Sequence, residues 1–224
     1  MYTLDLKGNV VDDELAQMYD AFDVNCIHPQ EVTDFLQSAN NQPVTINLNS
    51  YGGDVFAADD IYSQLQAYAG EVTVVIGGIA ASAGSIIAMG SDKLLMSAPS
   101  ILMIHRCAGD TNGNVNDLQK SIEVQQTIDK SIATAYSQKT GKTIDECLDL
   151  MNKETWLTAD MALDMKLIDG ITQPAKKAVA ISNSLASLPN PKKVAKFVNM
   201  LNRKANKQHK NIVNAKLAIL KGSL

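Results

Sequence analysis

Cysteine is scarce: Cys26, Cys107 and Cys147 are the only three in 224 residues, odd in number and widely spaced. A disulfide framework is not expected, and a reducing, cytoplasmic setting follows. The three histidines, His28, His105 and His209, show no spacing with these cysteines that suggests a metal site. No metal or other cofactor is therefore expected. No apolar run reaches the ~18 residues of a membrane span. The Met1 end lacks a basic-then-apolar leader, since Asp5 and Lys7 interrupt it early, so no membrane association is expected. Aromatics are rare toward the other end, where Phe197 is the only one after residue 171. That argues against base stacking on single-stranded nucleic acid.

Acid is also missing from one part of the chain. Residues 171–224 hold 11 basic residues and no Asp or Glu, whereas residues 1–170 hold all 24 acids and 9 basic residues. The balances, +11 and −15, sum to the net −4. Such a split implies an acidic body and a basic extension with different roles. Pro174 and then Pro189-Asn190-Pro191 punctuate the extension, and Val194, Phe197, Val198 and Leu201 form an amphipathic pattern beside lysines. A solvated helix is one reading of that pattern, and docking on an acidic partner is the other. The expected division is 1–172 for a body and 173–224 for a basic helical tail.

With 46% hydrophobic residues the body has enough material for a sizeable core. Strands are expected at Tyr2–Leu6, Pro43–Leu48, Val72–Ile76, Lys93–Met96, Ile101–Ile104 and Leu167–Ile171, from alternating or β-branched runs. Helices are expected at Pro29–Leu36, Phe56–Tyr68, Ile144–Asn152 and Ala159–Met165. The longest helix runs from Asp117 to Gln138, with Leu118, Ile122, Ile128, Ile132 and Tyr136 near helical spacing. Asp12 to Phe22 fits a short helix or a loop. Alternation of strand and helix over residues 43–105 predicts an α/β fold with a largely parallel sheet and right-handed crossovers.

Three stretches carry candidate chemistry. The first, Gly77 to Gly90, reads G-G-I-A-A-S-A-G-S-I-I-A-M-G and places Ser82 where a strand gives way to a helix. Its neighbours Ala80, Ala81, Ala83 and Gly84 are too small to shield it. A serine nucleophile whose substrate passes through an oxyanion wants that setting, but on this stretch alone close helix packing is the favoured reading of the small residues. The second is Asn49-Ser50-Tyr51-Gly52-Gly53-Asp54, where paired glycines at a strand end either aim an N–H at a substrate oxygen or make a plain turn. The third is Met103-Ile104-His105-Arg106, in which His105 ends an apolar strand as a structural residue or as a base for a serine hydroxyl. Ser85 is a rival nucleophile, ranked below Ser82 because Ile86 and Ile87 suggest that it faces inward.

Together, N-S-Y-G-G-D-V at 49–55, I-Y at 61–62, G-G-I-A-A-S-A-G at 77–84, M-I-H at 103–105 and E-T-W-L-T-A at 154–159 resemble the proteolytic subunit of the Clp protease. The spacings fit as well: 29 residues from Gly53 to Ser82, 23 from Ser82 to His105 and 49 from His105 to Glu154. The resemblance covers roughly residues 1–172 and says nothing about 173–224. It implies a fold shared with the crotonases, a ββα superhelix with a long handle helix. It also implies a serine endopeptidase assembled as a homo-oligomeric ring with its sites inside a chamber. Carried over by position, Ser82 is the nucleophile, His105 the general base, Glu154 the third triad member, and the N–H groups of Gly53 and Ala83 the oxyanion hole. Better-known members carry Asp at the position of Glu154 and Pro at that of Tyr51. The G-G-D-V-F-A form at 52–57 and the E-T-W-L-T-A form at 154–159 resemble the Clp-type proteases of bacteriophages and prophages, which implies head maturation on capsid and scaffold proteins in a bacterial host cytoplasm. The N-terminal residues show no clear counterpart of the axial loops that engage an AAA+ unfoldase, so that partner is the weaker expectation.

Other readings remain at this stage: a housekeeping ATP-dependent Clp subunit, a crotonase-like acyl-CoA enzyme, a non-enzymatic assembly protein, and a Ser–Lys peptidase. Asp160 or a backbone carbonyl is the alternative to Glu154. Trp156 beside Glu154 is expected to shield the triad acid from water.

Overall fold

A computed structural model describes residues 2–172. The basic extension, 173–224, lies outside the described residues. The chain runs β1 (Tyr2–Val10), α1 (Asp13–Ala21), β2 (Cys26–Ile27), α2 (Pro29–Ala39), β3 (Val44–Gly53), α3 (Val55–Ala67), β4 (Val72–Ala81) and α4 (Ala83–Met89). It continues with β5 (Lys93–Ser97), β6 (Ile101–Ile104), α5 (Val115–Thr140), α6 (Ile144–Asn152), β7 (Thr155–Thr158), α7 (Ala159–Asp164) and β8 (Gly170–Thr172).

Among the described residues the sheet has the order β2-β1-β3-β4-β5-β8, all parallel, with β6 also beside β4. This is the expected α/β arrangement with a largely parallel sheet. One pair departs from the parallel pattern: β7, not expected as a strand, runs antiparallel to β6. No element is expected from sequence between the helices at 144–152 and 159–165, and pairing with β6 makes Thr155–Thr158 a strand. Asp12 to Phe22 resolves as a helix because the Asp12 side chain accepts the Leu15 N–H at 2.7 Å. The closing strand starts at Gly170, later than expected, since Leu167 and Ile168 are buried before the ladder with β5 begins.

Strand β4 changes partner midway. Thr73–Ile76 pair with β5, then Ile79–Ala81 pair with β6. The change falls at Gly77-Gly78, where Asn49 Oδ1 accepts the Ile79 N–H at 3.0 Å. A Cβ on Gly78 would lie 2.7 Å from that same oxygen. The strand's end is thereby carried away from β5 and delivered to Ser82. Every residue of α4 is buried. Ile86, Ile87 and Met89 on this one short helix each bury a side chain worth about 1.5–3 kcal/mol, which fixes it under the sheet end.

Helix α5 is roughly 39 Å long. Asn114 and Asp117 form a reciprocal capping box at its start, and Gly141 closes it in the left-handed conformation at φ 73°. The expected apolar stripe is buried only in its C-terminal half, at Ile132 and Tyr136, with Ile128 partly covered. Val115, Leu118, Ile122 and Val124 are exposed, Val115 by 80%. Among the described residues no helix is long and apolar enough to cross a membrane.

Candidate active site

Ser82 occupies the junction of β4 and α4 at φ 53°, ψ −125°, a conformation a serine rarely adopts. Such a conformation costs about 1–3 kcal/mol and survives only where surrounding bonds impose it. Here the Ser82 N–H donates to Met103 O at 3.0 Å. Its carbonyl accepts the Ser85 and Ile86 N–H groups and the Ser85 hydroxyl at 2.6 Å. The result is a sharp strand-to-helix turn that pushes Oγ clear of the backbone, achieved without a G-x-S-x-G sequence.

His105 follows the last residue of β6, and its Nε2 lies 2.7 Å from Ser82 Oγ. The contact joins side chains 23 residues apart. It exists because β6 pairs with the end of β4, Met103 lying opposite Ala81. The distance is that of a hydrogen bond, and with Nε2 unprotonated the serine hydroxyl donates to the imidazole.

Ser85 is fully buried. Its Oγ bonds Ser82 O at 2.6 Å and the Tyr136 hydroxyl at 2.7 Å, which leaves it unable to reach a substrate. Burial pushes the Tyr136 phenol well above its ordinary range. Cys107, two residues past His105, also lines the cavity. Burial first, and then Asp129, push its thiol up to about 11, so it stays protonated at neutral pH and is a poor nucleophile.

Gly52 and Gly53 have φ of 106° and 147°. Ser50, 1% exposed, holds this turn: its Oγ donates to Gly8 O at 2.6 Å and accepts the Gly52 N–H at 3.0 Å. Gly53 and Ala83 both line the cavity that contains Ser82 and His105. As the first residue of α4, Ala83 has an N–H without a partner in its own helix. Gly52 packs so tightly that a Cβ there would come within 2.7 Å of Ser82 Cβ. The cavity measures about 480 Å³, and Ile86, Ile128, Ile132 and Tyr136 give it an apolar wall. Among the described residues no lysine lines it.

Glu154 sits in the left-handed region at φ 48°, between α6 and β7. Since Ile104 lies opposite Thr155, continuing the antiparallel register sets Glu154 opposite His105. Its carboxylate, however, accepts the Trp156 indole N–H at 3.1 Å. Among the described residues no carboxylate is hydrogen-bonded to His105. Trp156 is 50% exposed, so it engages the acid rather than shielding it from water. Asp160 lies in α7, two residues beyond Thr158, which pairs with Ile101 at the far end of β6, and it makes no hydrogen bond to His105.

Asp129 and Arg106 were not anticipated as site residues. Asp129 falls at helical spacing with Ile132, Ala133 and Tyr136 on the buried face of α5, and a carboxylate in that register was the available signal. Among the described residues no group of three or more His, Cys, Asp and Glu could hold a metal ion.

Comparison with known proteins agrees with this geometry. A family model described as Clp protease matches residues 25–175. The ATP-dependent Clp protease proteolytic subunit 1 of Chlamydia abortus is 31% identical over 142 residues, 61% of this chain and 74% of that protein. The ATP-dependent Clp protease proteolytic subunit of Porphyromonas gingivalis is 30% identical over 166 residues, 73% of this chain and 74% of that protein. Among solved structures, a ClpP1 point mutant from Listeria monocytogenes is similar with a TM-score of 0.65 at 23% identity, covering 78% of this chain and 93% of the other. At that identity the likeness concerns the fold alone.

Proposed function

The chain belongs to the Clp protease family, a family of serine endopeptidases, and from that premise we propose that it cleaves peptide bonds through an acyl-enzyme formed on Ser82. The observation that carries this reading is the 2.7 Å contact between Ser82 Oγ and His105 Nε2 in the wall of an open cavity. Oγ attacks the peptide carbonyl as Nε2 takes its proton, and the N–H groups of Gly53 and Ala83 receive the developing oxyanion. His105 then protonates the leaving amine, and water repeats the cycle on the ester. The apolar wall suits an apolar side chain next to the scissile bond. The test is a pre-steady-state burst with an activated peptide ester: about one leaving group per chain, then a slower steady rate. Turnover of an acyl-CoA with no burst and no dependence on Ser82 would favour the crotonase-like reading instead.

Glu154 is the third member of this triad, released from Trp156 to accept a bond from His105 Nδ1. The strand register supports the assignment. We expect Glu154→Gln to lower kcat by up to ~10⁴-fold, by losing the acceptor that fixes the imidazole tautomer. Asp160→Asn should leave kcat near wild type, and Trp156→Phe, which frees the carboxylate, should not lower it. Peptidase assays on folded variants decide, and near wild-type kcat in Glu154→Gln would remove Glu154 from the triad.

The working form is a homo-oligomeric ring. The uncovered Val115, Leu118 and Ile122, spaced three and four apart on one face of α5, support this, since an apolar strip on a helix fits a protein partner. Light scattering should show an assembly whenever peptidase activity is present, and an active monomer would contradict it. The G-G-D-V-F-A form at 52–57 and the E-T-W-L-T-A form at 154–159 support capsid and scaffold proteins as natural substrates. The names of the relatives favour a second reading, a subunit fed by an AAA+ unfoldase. Cleavage of a scaffold protein at discrete sites without ATP fits the first, and degradation of a folded protein only with an added unfoldase and ATP fits the second. Truncation after Gln173 should leave peptide hydrolysis intact, because the basic extension supplies none of the residues above.

A further inference from the structure

We propose that Asp129 is a positioning residue for His105, resting on the serine peptidase reading above. Asp129 belongs to α5 yet is only 3% exposed, a rare place for a carboxylate unless each oxygen is engaged. Both are. Oδ1 accepts the Cys107 N–H at 2.8 Å, and Oδ2 accepts from Arg106 Nη1 at 3.1 Å.

These are the two residues directly after His105, at the point where β6 has ended. From Arg106 to Gly113 the chain forms no helix or strand, so no ladder holds it. The imidazole must nevertheless stay within hydrogen-bond distance of Ser82. The segment is fixed on one side by β6, through Met103 O and the Ser82 N–H, and on the other by Asp129. Arg106 adds a second tie. Arg106 lines the catalytic cavity, and its buried Nε has no hydrogen-bond partner among the described residues. Its remaining bond, to Asp129, is thus the one that places it.

Besides the Arg106 side chain, this buried carboxylate engages a backbone N–H two residues from the base, and removing it would free His105 to move. A displacement of about 1 Å at a reacting group costs about 10²-fold in rate.

The experiment separates positioning from plain stability. Asp129→Ala should lower kcat about 10²-fold with KM within about twofold of wild type. The double variant Asp129→Leu with Arg106→Met replaces the ion pair by apolar groups, which commonly restores stability. It should melt near wild type and still show the low kcat, because nothing accepts the Cys107 N–H. A crystal structure of this variant should show Ser82 Oγ and His105 Nε2 farther apart than the ~3.5 Å limit of a hydrogen bond. Wild-type kcat in Asp129→Ala, or recovery of kcat together with melting temperature in the double variant, overturns the proposal. Ser82→Ala, assayed alongside, isolates the premise: if it hydrolyses peptide as fast as wild type, the serine peptidase reading fails and takes the role of Asp129 with it.

Discussion

Ser82→Ala and His105→Ala are each expected to lower peptidase kcat by about 10⁴–10⁶-fold, with KM little changed. The size follows from the chemistry. Without Oγ no acyl-enzyme forms, and only the oxyanion donors and substrate binding remain to favour direct attack by water. Without the imidazole, Oγ must lose its proton to solvent at a pH far below its own pKa. Because the two act as one unit, the double variant should be barely slower than either single one. Neither side chain carries the fold. His105 is partly exposed, and Ser82 contributes no cap bond through its side chain. Both variants should therefore melt close to wild type, and Ser82→Ala keeps the three bonds made to its own carbonyl. Steady-state kinetics with melting curves check this, and a loss below tenfold in either variant would contradict the assigned roles.

Gly53→Ala is expected to damage fold and activity together. A Cβ at Gly53 would lie 2.1 Å from Val10 O, a clash of side chain on backbone that no rotamer can relieve. Its φ of 147° is also one that L-residues avoid. Backbone strain of about 1–3 kcal/mol and overpacking of about 1–3 kcal/mol together consume much of a typical domain's ~5–15 kcal/mol of stability. Where the variant folds, β3 must shift from β1, and the Gly53 N–H leaves its aim. Loss of one oxyanion donor costs about 10²–10³ in kcat. Gly77→Ala is the control, because nothing lies within 4 Å of its added Cβ and its φ is ordinary. It should melt and turn over near wild type. Equal behaviour of the two variants, by melting and by kcat, would show that the Gly52-Gly53 turn is not constrained as described.

Most strands and helices were legible because their apolar residues recur at the period of the element. The exceptions have physical causes. β7 is a strand only through its contact with β6, and four residues of T-W-L-T carry no period of their own. The exposed half of α5 has the same spacing as the buried half, and periodicity cannot tell a face covered by the chain itself from one left open. At the site, Ser82 and His105 could be singled out because a small-residue turn and a strand-end histidine have chemical signatures. The strained φ of Ser82 has none, since it is imposed by Met103 and Ser85 through the fold. Glu154 was assigned only through the resemblance, and the register sets it opposite His105 without a hydrogen bond between them. That its carboxylate rests on Trp156 depends on a side-chain choice that no pattern encodes. Asp129 was hidden in plain view, because an acid on a helix reads as solvated unless its neighbours at three and four residues are weighed with it.

The most direct measurement is active-site labelling with a fluorophosphonate followed by peptide mass mapping. The reagent reacts only with a serine whose proton is being withdrawn beside an oxyanion site. The assembled wild-type chain is predicted to carry one label on Ser82, none on Ser85, and to lose it in His105→Ala. No label in any assembly state, a label on another residue, or an unchanged labelling rate in His105→Ala would contradict Ser82 and His105 as nucleophile and base.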